Sequence, residues 1–266
     1  MSNWQYIRIE IEENIATLTI DHPPVNSFNQ QVVKEMDEAV DELLANDAVK
    51  AVVITGAGTN AFVAGADIPE IKALLDNPAE GYAASRAFIE RGQKLFLKIE
   101  QATKPFIAAI NGFCLGGGLE LSMACHMRVC SDRARMGQPE INLGIIPGWG
   151  GTQRLARIVG RGKAIELILT ADMITAQEAY RLNLVNKVVP AGAVLKEARD
   201  LARKIVSKSR FPIAAALRAI NDGLALPIAE GLKVEAEQFV SLANTEDIRE
   251  GVSAFLEKRQ PQFKDR

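Results

Sequence analysis

The sequence predicts an α/β protein, with an α/β core over residues 1–190 and a helical C-terminal region over 191–266. Three observations predict it. Continuous apolar runs at 51–55, 107–110 and 127–130 have the length and composition of buried parallel strands. Helical patterns separate the first two runs, which implies right-handed strand–helix–strand crossovers in one sheet. Beyond about Leu184 the strand-like runs give way to helical segments.

Taken in order, 6–11 and 15–20 alternate apolar and polar residues around Glu12-Glu13-Asn14, the pattern of a hairpin. Residues 21–26 contain Pro23-Pro24 and read as loop. Val33, Met36, Val40, Leu43 and Leu44 recur at three- and four-residue spacing, one apolar stripe of a helix. The run 51–55 ends in Gly56-Ala57-Gly58, an exit turn. A helix starts at Asp67 and a long one covers about 81–101. The run 107–110 is followed by Asn111-Gly112, and the run 127–130 completes the set. Residues 185–189 form a last short strand, and helices follow near 192–208, 211–223, 227–244 and 245–259. No internal repeat is visible, and 151–184 receives no assignment.

Bulk properties narrow the function classes. With 266 residues the chain can bury a large core. Its 48% hydrophobic and 24% charged residues are those of an ordinary globular protein. A net charge of −2 and a pI near 5.9 supply no global field for nucleic acid. Cys114, Cys125 and Cys130 are an odd set without a C-x-x-C pair, which argues against disulfides or a zinc site and for a reducing compartment. The N-terminal residues lack signal-peptide character, and no apolar run is long enough to span a bilayer. A cytoplasmic protein with no membrane or nucleic-acid partner is expected.

Three segments carry chemistry. In Phe62-Val63-Ala64-Gly65-Ala66-Asp67-Ile68, small residues allow a ligand to approach the backbone; the plain alternative is a tight turn with Asp67 as N-cap. In Gly116-Gly117-Gly118-Leu119-Glu120, consecutive glycines precede a helix, where free N–H groups and the helix dipole favour an anion or oxyanion. Glu120 lies in an apolar run, where a carboxylate must be paired, protonated or functional. In Gly137-Gln138-Pro139-Glu140, Glu140 again sits among apolar neighbours, although alone it could be a surface acid beside a turn. Two such glutamates beside glycine-rich loops point to paired acid/base work. His22 and His126 have no partner at metal-ligand spacing, no nucleophile elbow occurs, and Gly160-Arg161-Gly162-Lys163 fails the phosphate-loop pattern.

Ala64-Gly65-Ala66-Asp67-Ile68, Gly116-Gly117-Gly118-Leu119-Glu120 and Gln138-Pro139-Glu140, followed by Gly150-Gly151-Thr152-Gln153-Arg154-Leu155, resemble the crotonase (enoyl-CoA hydratase/isomerase) superfamily. The likeness keeps its order to Phe255-Leu256-Glu257-Lys258-Arg259. It implies a crotonase-like spiral of β–β–α turns with a helical C-terminal trimerisation region, assembled as a homotrimer or a homohexamer of two trimers. It implies an oxyanion hole from the amides of Ala66 and Gly117, catalytic Glu120 and Glu140, and substrate or CoA contacts at Val25, Ala64, Gly65, Asp67, Ile68, Gly116, Gly148 and Lys258. The reaction implied is hydration of a 2-enoyl-CoA, as in fatty-acid β-oxidation. No separate cofactor or metal is expected, since CoA arrives as part of the substrate. An enoyl-CoA isomerase and a branched, methylglutaconyl-type hydratase remain alternatives, with Arg86 and Arg91 as candidate cations for an acidic acyl group. An RNA-binding module is the non-enzyme alternative. Two departures stand out: Pro23-Pro24-Val25 and Pro69 occupy places where many relatives carry a basic residue that could hold CoA. Lys258 could compensate from a neighbouring subunit.

Overall fold

A computed structural model describes residues 4–76 and 78–266. Strands β1 (Ile7–Glu12) and β2 (Ile15–Ile20) form the expected hairpin. Glu13 and Asn14 both have positive φ, the backbone of a two-residue turn whose twist matches paired strands. Helix α1 (Gln30–Ala45) is capped by Asn29, whose side chain accepts from Val32 N, and buries Val33, Met36, Val40 and Leu43 as the spacing predicts.

The chain then makes three similar turns. The first is β3 (Ala51–Gly56), β4 (Ala61–Val63), α2 (Ile68–Leu75) and α3 (Pro78–Glu100). The second is β5 (Phe106–Ile110), β6 (Phe113–Leu115) and α4 (Gly117–Ala124). The third is β7 (Met127–Ser131), β8 (Arg135–Gly137), a 3₁₀ helix (Pro139–Leu143), α5 (Gly151–Val159) and α6 (Arg161–Thr170). The remainder is β9 (Ile174–Thr175), α7 (Ala176–Arg181), β10 (Lys187–Val189) and helices α8 (Val194–Val206), α9 (Arg210–Gly223), α10 (Ile228–Ser241) and α11 (Glu246–Leu256).

Each turn gives its first strand to a large sheet and its second to a small one. The large sheet has the order β1-β2-β3-β5-β7-β10 and the small one β4-β6-β8-β9. From β2 to β10 the large sheet is parallel, and β4, β6 and β8 are parallel in the small one. This is the β–β–α spiral expected from the family resemblance. Its repeat escapes a reading of the sequence because β4, β6 and β8 span three residues each, too short to show periodicity. Helices α5, α6 and α7 fill the segment that received no assignment.

The large sheet is buried on both faces. One side joins the main core with Phe28, Leu95, Phe96 and Leu119; the other holds Ile15, Val53, Ile107 and Val129 against Val194, Ala198 and Ala202 of α8. Thus α8, though within the region expected to be C-terminal and helical, packs on the sheet. By contrast α10 buries none of its own residues. No helix among the described residues is long and apolar enough to cross a membrane.

Candidate active site

Three parallel strands of the small sheet end at the same edge, and each releases one chemical group there. Ala66 follows β4 by three residues, Gly117 follows β6 by two, and Glu140 follows β8 by three. The strands that deliver the site are therefore the short second strands, and not the apolar runs that announce the fold. Ligands collect at the carboxyl ends of parallel strands in α/β sheets generally.

Backbone geometry frees two amides at this edge. Ala66 pairs with Phe28 in an isolated parallel bridge, where Phe28 N donates to Gly65 O and Asp67 N donates to Phe28 O, both at 2.8 Å. Such a bridge uses the groups on either side of Ala66 and turns its own N–H away from Phe28. Gly117 opens α4, so its N–H has no acceptor in the preceding turn. The approach of the two loops depends on glycine. Gly116 has a φ of 51°, and a Cβ there would lie 3.0 Å from Glu140 Oε1. At Gly118 a Cβ would lie 2.1 Å from Val63 O, so only glycine lets α4 sit against β4.

Glu120 lies on the inner face of α4 and is 2% exposed. Its Oε1 accepts from Trp149 N and Gly151 N, each at 2.7 Å. Gly151 is the first residue of α5, whose N-cap Gly150 has no side chain to offer, so the carboxylate caps that helix. Burial pushes the Glu120 carboxyl above its ordinary value, and the two backbone amides oppose that shift. The loop carrying those amides is tied down in turn. Arg154 Nη1 donates to Trp149 O at 2.9 Å while its Nη2 donates to Glu100 at 2.8 Å.

Glu140 is half-buried in the 3₁₀ helix. Burial is the main cause that raises its carboxyl, to about 7; its own backbone amide opposes this, and the Glu120 charge adds to it. Gln138 is fully buried beside it. With its amide nitrogen turned toward the carboxylate, Gln138 donates to Glu140 Oε1 at 2.8 Å and Oε2 at 3.1 Å.

A cavity of about 1090 Å³ joins these groups. Of the residues expected from the sequence, Ala64, Gly65, Ala66, Ile68, Gly116, Gly117, Glu120, Glu140 and Gly148 line it. Val25, Asp67 and Lys258 do not. Val25 O accepts from Ala64 N at 3.1 Å and so holds the first loop from behind. Asp67 is the N-cap of α2, accepting from Glu70 N, which is the plain alternative for that residue. Lys258 is exposed just beyond α11. Sequence reasoning missed the Trp149 and Gly151 amides, Gln138, and the apolar wall of Ile71, Phe88 and Ile89. A tryptophan set among the glycines 148, 150 and 151 was the one available signal.

The spiral fold points to a class of acyl-thioester enzymes, and comparisons with known proteins show the family. The chain belongs to the enoyl-CoA hydratase/isomerase family, whose profile matches residues 10–266. It is 45% identical over 260 residues to a short-chain-enoyl-CoA hydratase of Clostridium acetobutylicum, covering 97% of each chain. It is 43% identical over 261 residues to a crotonyl-CoA hydratase of Syntrophomonas wolfei, covering 98% of each. An enoyl-CoA hydratase structure from Bacillus anthracis superposes with a TM-score of 0.93 at 35% identity, over 98% of this chain and 100% of that one.

Proposed function

We propose that this protein is a hydro-lyase that adds water to a 2-enoyl-CoA to give a 3-hydroxyacyl-CoA, with Glu120 and Glu140 as its catalytic carboxylates. The observation that carries this reading is that both glutamates face one cavity beside the amides of Ala66 and Gly117. Those amides form the oxyanion hole. By holding the thioester oxygen they draw electrons from the conjugated double bond and make the β-carbon electrophilic. Donors placed where charge develops typically supply ~3–4 kcal/mol each.

The two carboxyls share the proton work. Glu120 is held by its Oε1, so Oε2 accepts a proton from water as the oxygen attacks the β-carbon. Glu140, whose carboxyl is raised to about 7, carries a proton near neutrality and delivers it to the α-carbon. Water is thus consumed as hydroxyl on one carbon and proton balance on the other, and exchange with solvent resets the pair. The backbone of Gly148 helps place the water. The CoA moiety runs along Ala64, Gly65, Ile68 and Gly116, and Val25 and Asp67 shape that wall from outside it. Lys258 meets a CoA phosphate from a neighbouring subunit. No other cofactor is required, and the expected compartment is the cytoplasm.

The acidic-substrate alternative finds no support: no lysine, arginine or histidine is among the described residues lining the cavity, and Arg86 pairs with Glu90. Assembly is proposed as a trimer or a hexamer of two trimers. It is supported by exposed apolar side chains on α9 and α10, including Ile220, Leu232 and Phe239.

The test follows loss of the enoyl-thioester absorbance with crotonyl-CoA. Wild type should be fast, and Glu120→Gln and Glu140→Gln should each lose roughly 10²–10⁴-fold in kcat, the usual worth of a positioned acid or base. Glutamine keeps the acceptor that α5 needs, so the fold survives. A folded wild type inert on crotonyl-CoA but active on a 3-enoyl-CoA would replace hydration with isomerisation.

A further inference from the structure

The loop that holds Glu120 is itself held at each peptide unit. Three units lie in a row between residues 148 and 151, and the first and last give the Trp149 and Gly151 N–H groups to Glu120 Oε1. The carbonyl of the first, Gly148 O, accepts from Gln93 Nε2 of α3 at 2.8 Å. That of the middle one, Trp149 O, accepts from Arg154 Nη1 at 2.9 Å. That of the last, Gly150 O, accepts from Gln153 N at 3.0 Å and Arg154 N at 2.8 Å. Gly150 admits the guanidinium: its φ is 111°, and a Cβ there would lie 2.2 Å from Arg154 Nη1.

Arg154 is more than a tie. Its Nε and Nη2 donate to Glu100 Oε2 at 3.2 and 2.8 Å, and Asn221 Nδ2 of α9 donates to Glu100 O at 2.6 Å, so α3, α5 and α9 together fix the guanidinium. In this ion pair the arginine side chain is 12% exposed and the glutamate 39%. The acid therefore meets water, and the cation is the end turned to the loop. Few charges bear on Glu120. Burial raises its carboxyl, and the Arg154 charge joins the two amides in lowering it. Glu140, on the 3₁₀ helix, is an acid raised in part by the Glu120 charge. Cys125, the C-cap of α4, is a buried thiol pushed up to about 12 and stays neutral. The described residues of α2 and α3 that line the cavity carry no charge.

We propose that Arg154 is a positioning residue for the reaction: its guanidinium fixes the loop whose amides aim Glu120, and it supplies the cation that keeps that carboxylate ionised. This rests on the hydratase reading for the need of an ionised base. It goes further by naming a residue that does not line the cavity and acts on the base from behind the loop.

The test is pH titration of the intact protein, wild type beside Arg154→Gln and Arg154→Lys. Glutamine keeps an amide donor for the loop and loses the charge; lysine keeps the charge and loses the planar fork. Infrared difference spectroscopy reads the Glu120 carboxyl directly, as the band absent from Glu120→Gln. The acid limb of kcat/KM on crotonyl-CoA is read beside it, since a base works only while ionised and the rate falls as pH falls through its value. Arg154→Gln should move band and limb upward by about one pH unit or more, within the ~1–3 units that a neighbouring opposite charge exerts. Arg154→Lys should keep both within about half that displacement, because it retains the charge without the fork. An unmoved band in folded Arg154→Gln overturns the proposal, and so does a lysine variant displaced as far as the glutamine one. A purely structural role would lower kcat and Tm and leave the band where it is. A wild type inert on crotonyl-CoA sinks the hydratase reading instead, and the infrared band still decides on Arg154.

Discussion

Glu120 and Glu140 have the same side chain and, in the proposed mechanism, opposite tasks, and their surroundings differ. Burial raises the Glu120 carboxyl, and two backbone N–H donors on one oxygen oppose that shift. Glu140 takes its donors from the Gln138 side chain instead, and its carboxyl is raised to about 7, first by burial and also by the charge of Glu120. An acid works only while it holds its proton, so the hydration rate should fall as pH rises through about 7, by about tenfold per unit where this group limits. Glu140→Gln should remove that limb of the kcat/KM profile; a limb that persists in the variant assigns it to another group. The sign for stability runs the same way. A carboxyl raised in the folded state stabilises fully below its unfolded value, and that contribution is lost as pH rises through about 7. Glu140→Gln should therefore melt higher than wild type at pH 8 and no higher at pH 4. The sequence already marks both residues, because a carboxylate in an apolar run is conspicuous. It does not mark the donors, since a backbone amide has no letter of its own; Trp149 and Gly151 act through groups that every residue but proline possesses.

At the scale of elements, α4 is short, wholly buried and carries both Gly117 and Glu120. Its N-terminus opens on the candidate site, and the carbonyls at its C-terminus need donors from elsewhere. Arg128, at the start of β7, does this: Nη1 donates to Ser122 O at 3.1 Å and Cys125 O at 2.6 Å, and Nε donates to Leu184 O at 2.7 Å. A buried cation placed at a helix C-terminus also complements the dipole. Arg128→Met should leave these carbonyls unsatisfied and cost about 3 kcal/mol, at ~1–3 kcal/mol for each unmet buried acceptor. At this chain size that lowers Tm by roughly 6–12 °C. Thermal denaturation reads it, and a change within ~2 °C would mean that water replaces the guanidinium. The long elements were legible from their spacing: α1 from its apolar stripe, α3 from its length, and β3, β5 and β7 from continuous burial. The three-residue strands β4, β6 and β8 were not, because alternation needs more residues than they have and glycine-rich loops adjoin each. Those strands position the candidate site, so residues that line its cavity could be named while the sheet that holds them could not.

Over the whole molecule, successive turns of the spiral each contribute a part: an amide after β4, an amide and a carboxylate on α4, and a second carboxylate after β8. The C-terminal hairpin of α9 and α10 has no such task within the chain. Its helices meet each other where Gly223 and Gly231 come close, and α10 turns Ile228, Leu232, Phe239 and Val240 to solvent. An apolar surface of this kind, on a helix that buries none of its own residues, fits the assembly proposed above. Light scattering should give a mass three or six times that of the 28.9 kDa chain. Leu232→Asp with Phe239→Asp should release single chains that remain folded, since neither side chain is part of a core. If Lys258 reaches the CoA of a neighbour, those single chains should show a KM raised far more than kcat is lowered, and Lys258→Ala in the intact assembly should do the same. A wild type that runs as a single chain, or dissociated chains with an unaltered KM, would confine the whole site to one subunit and leave the hairpin surface to some other partner.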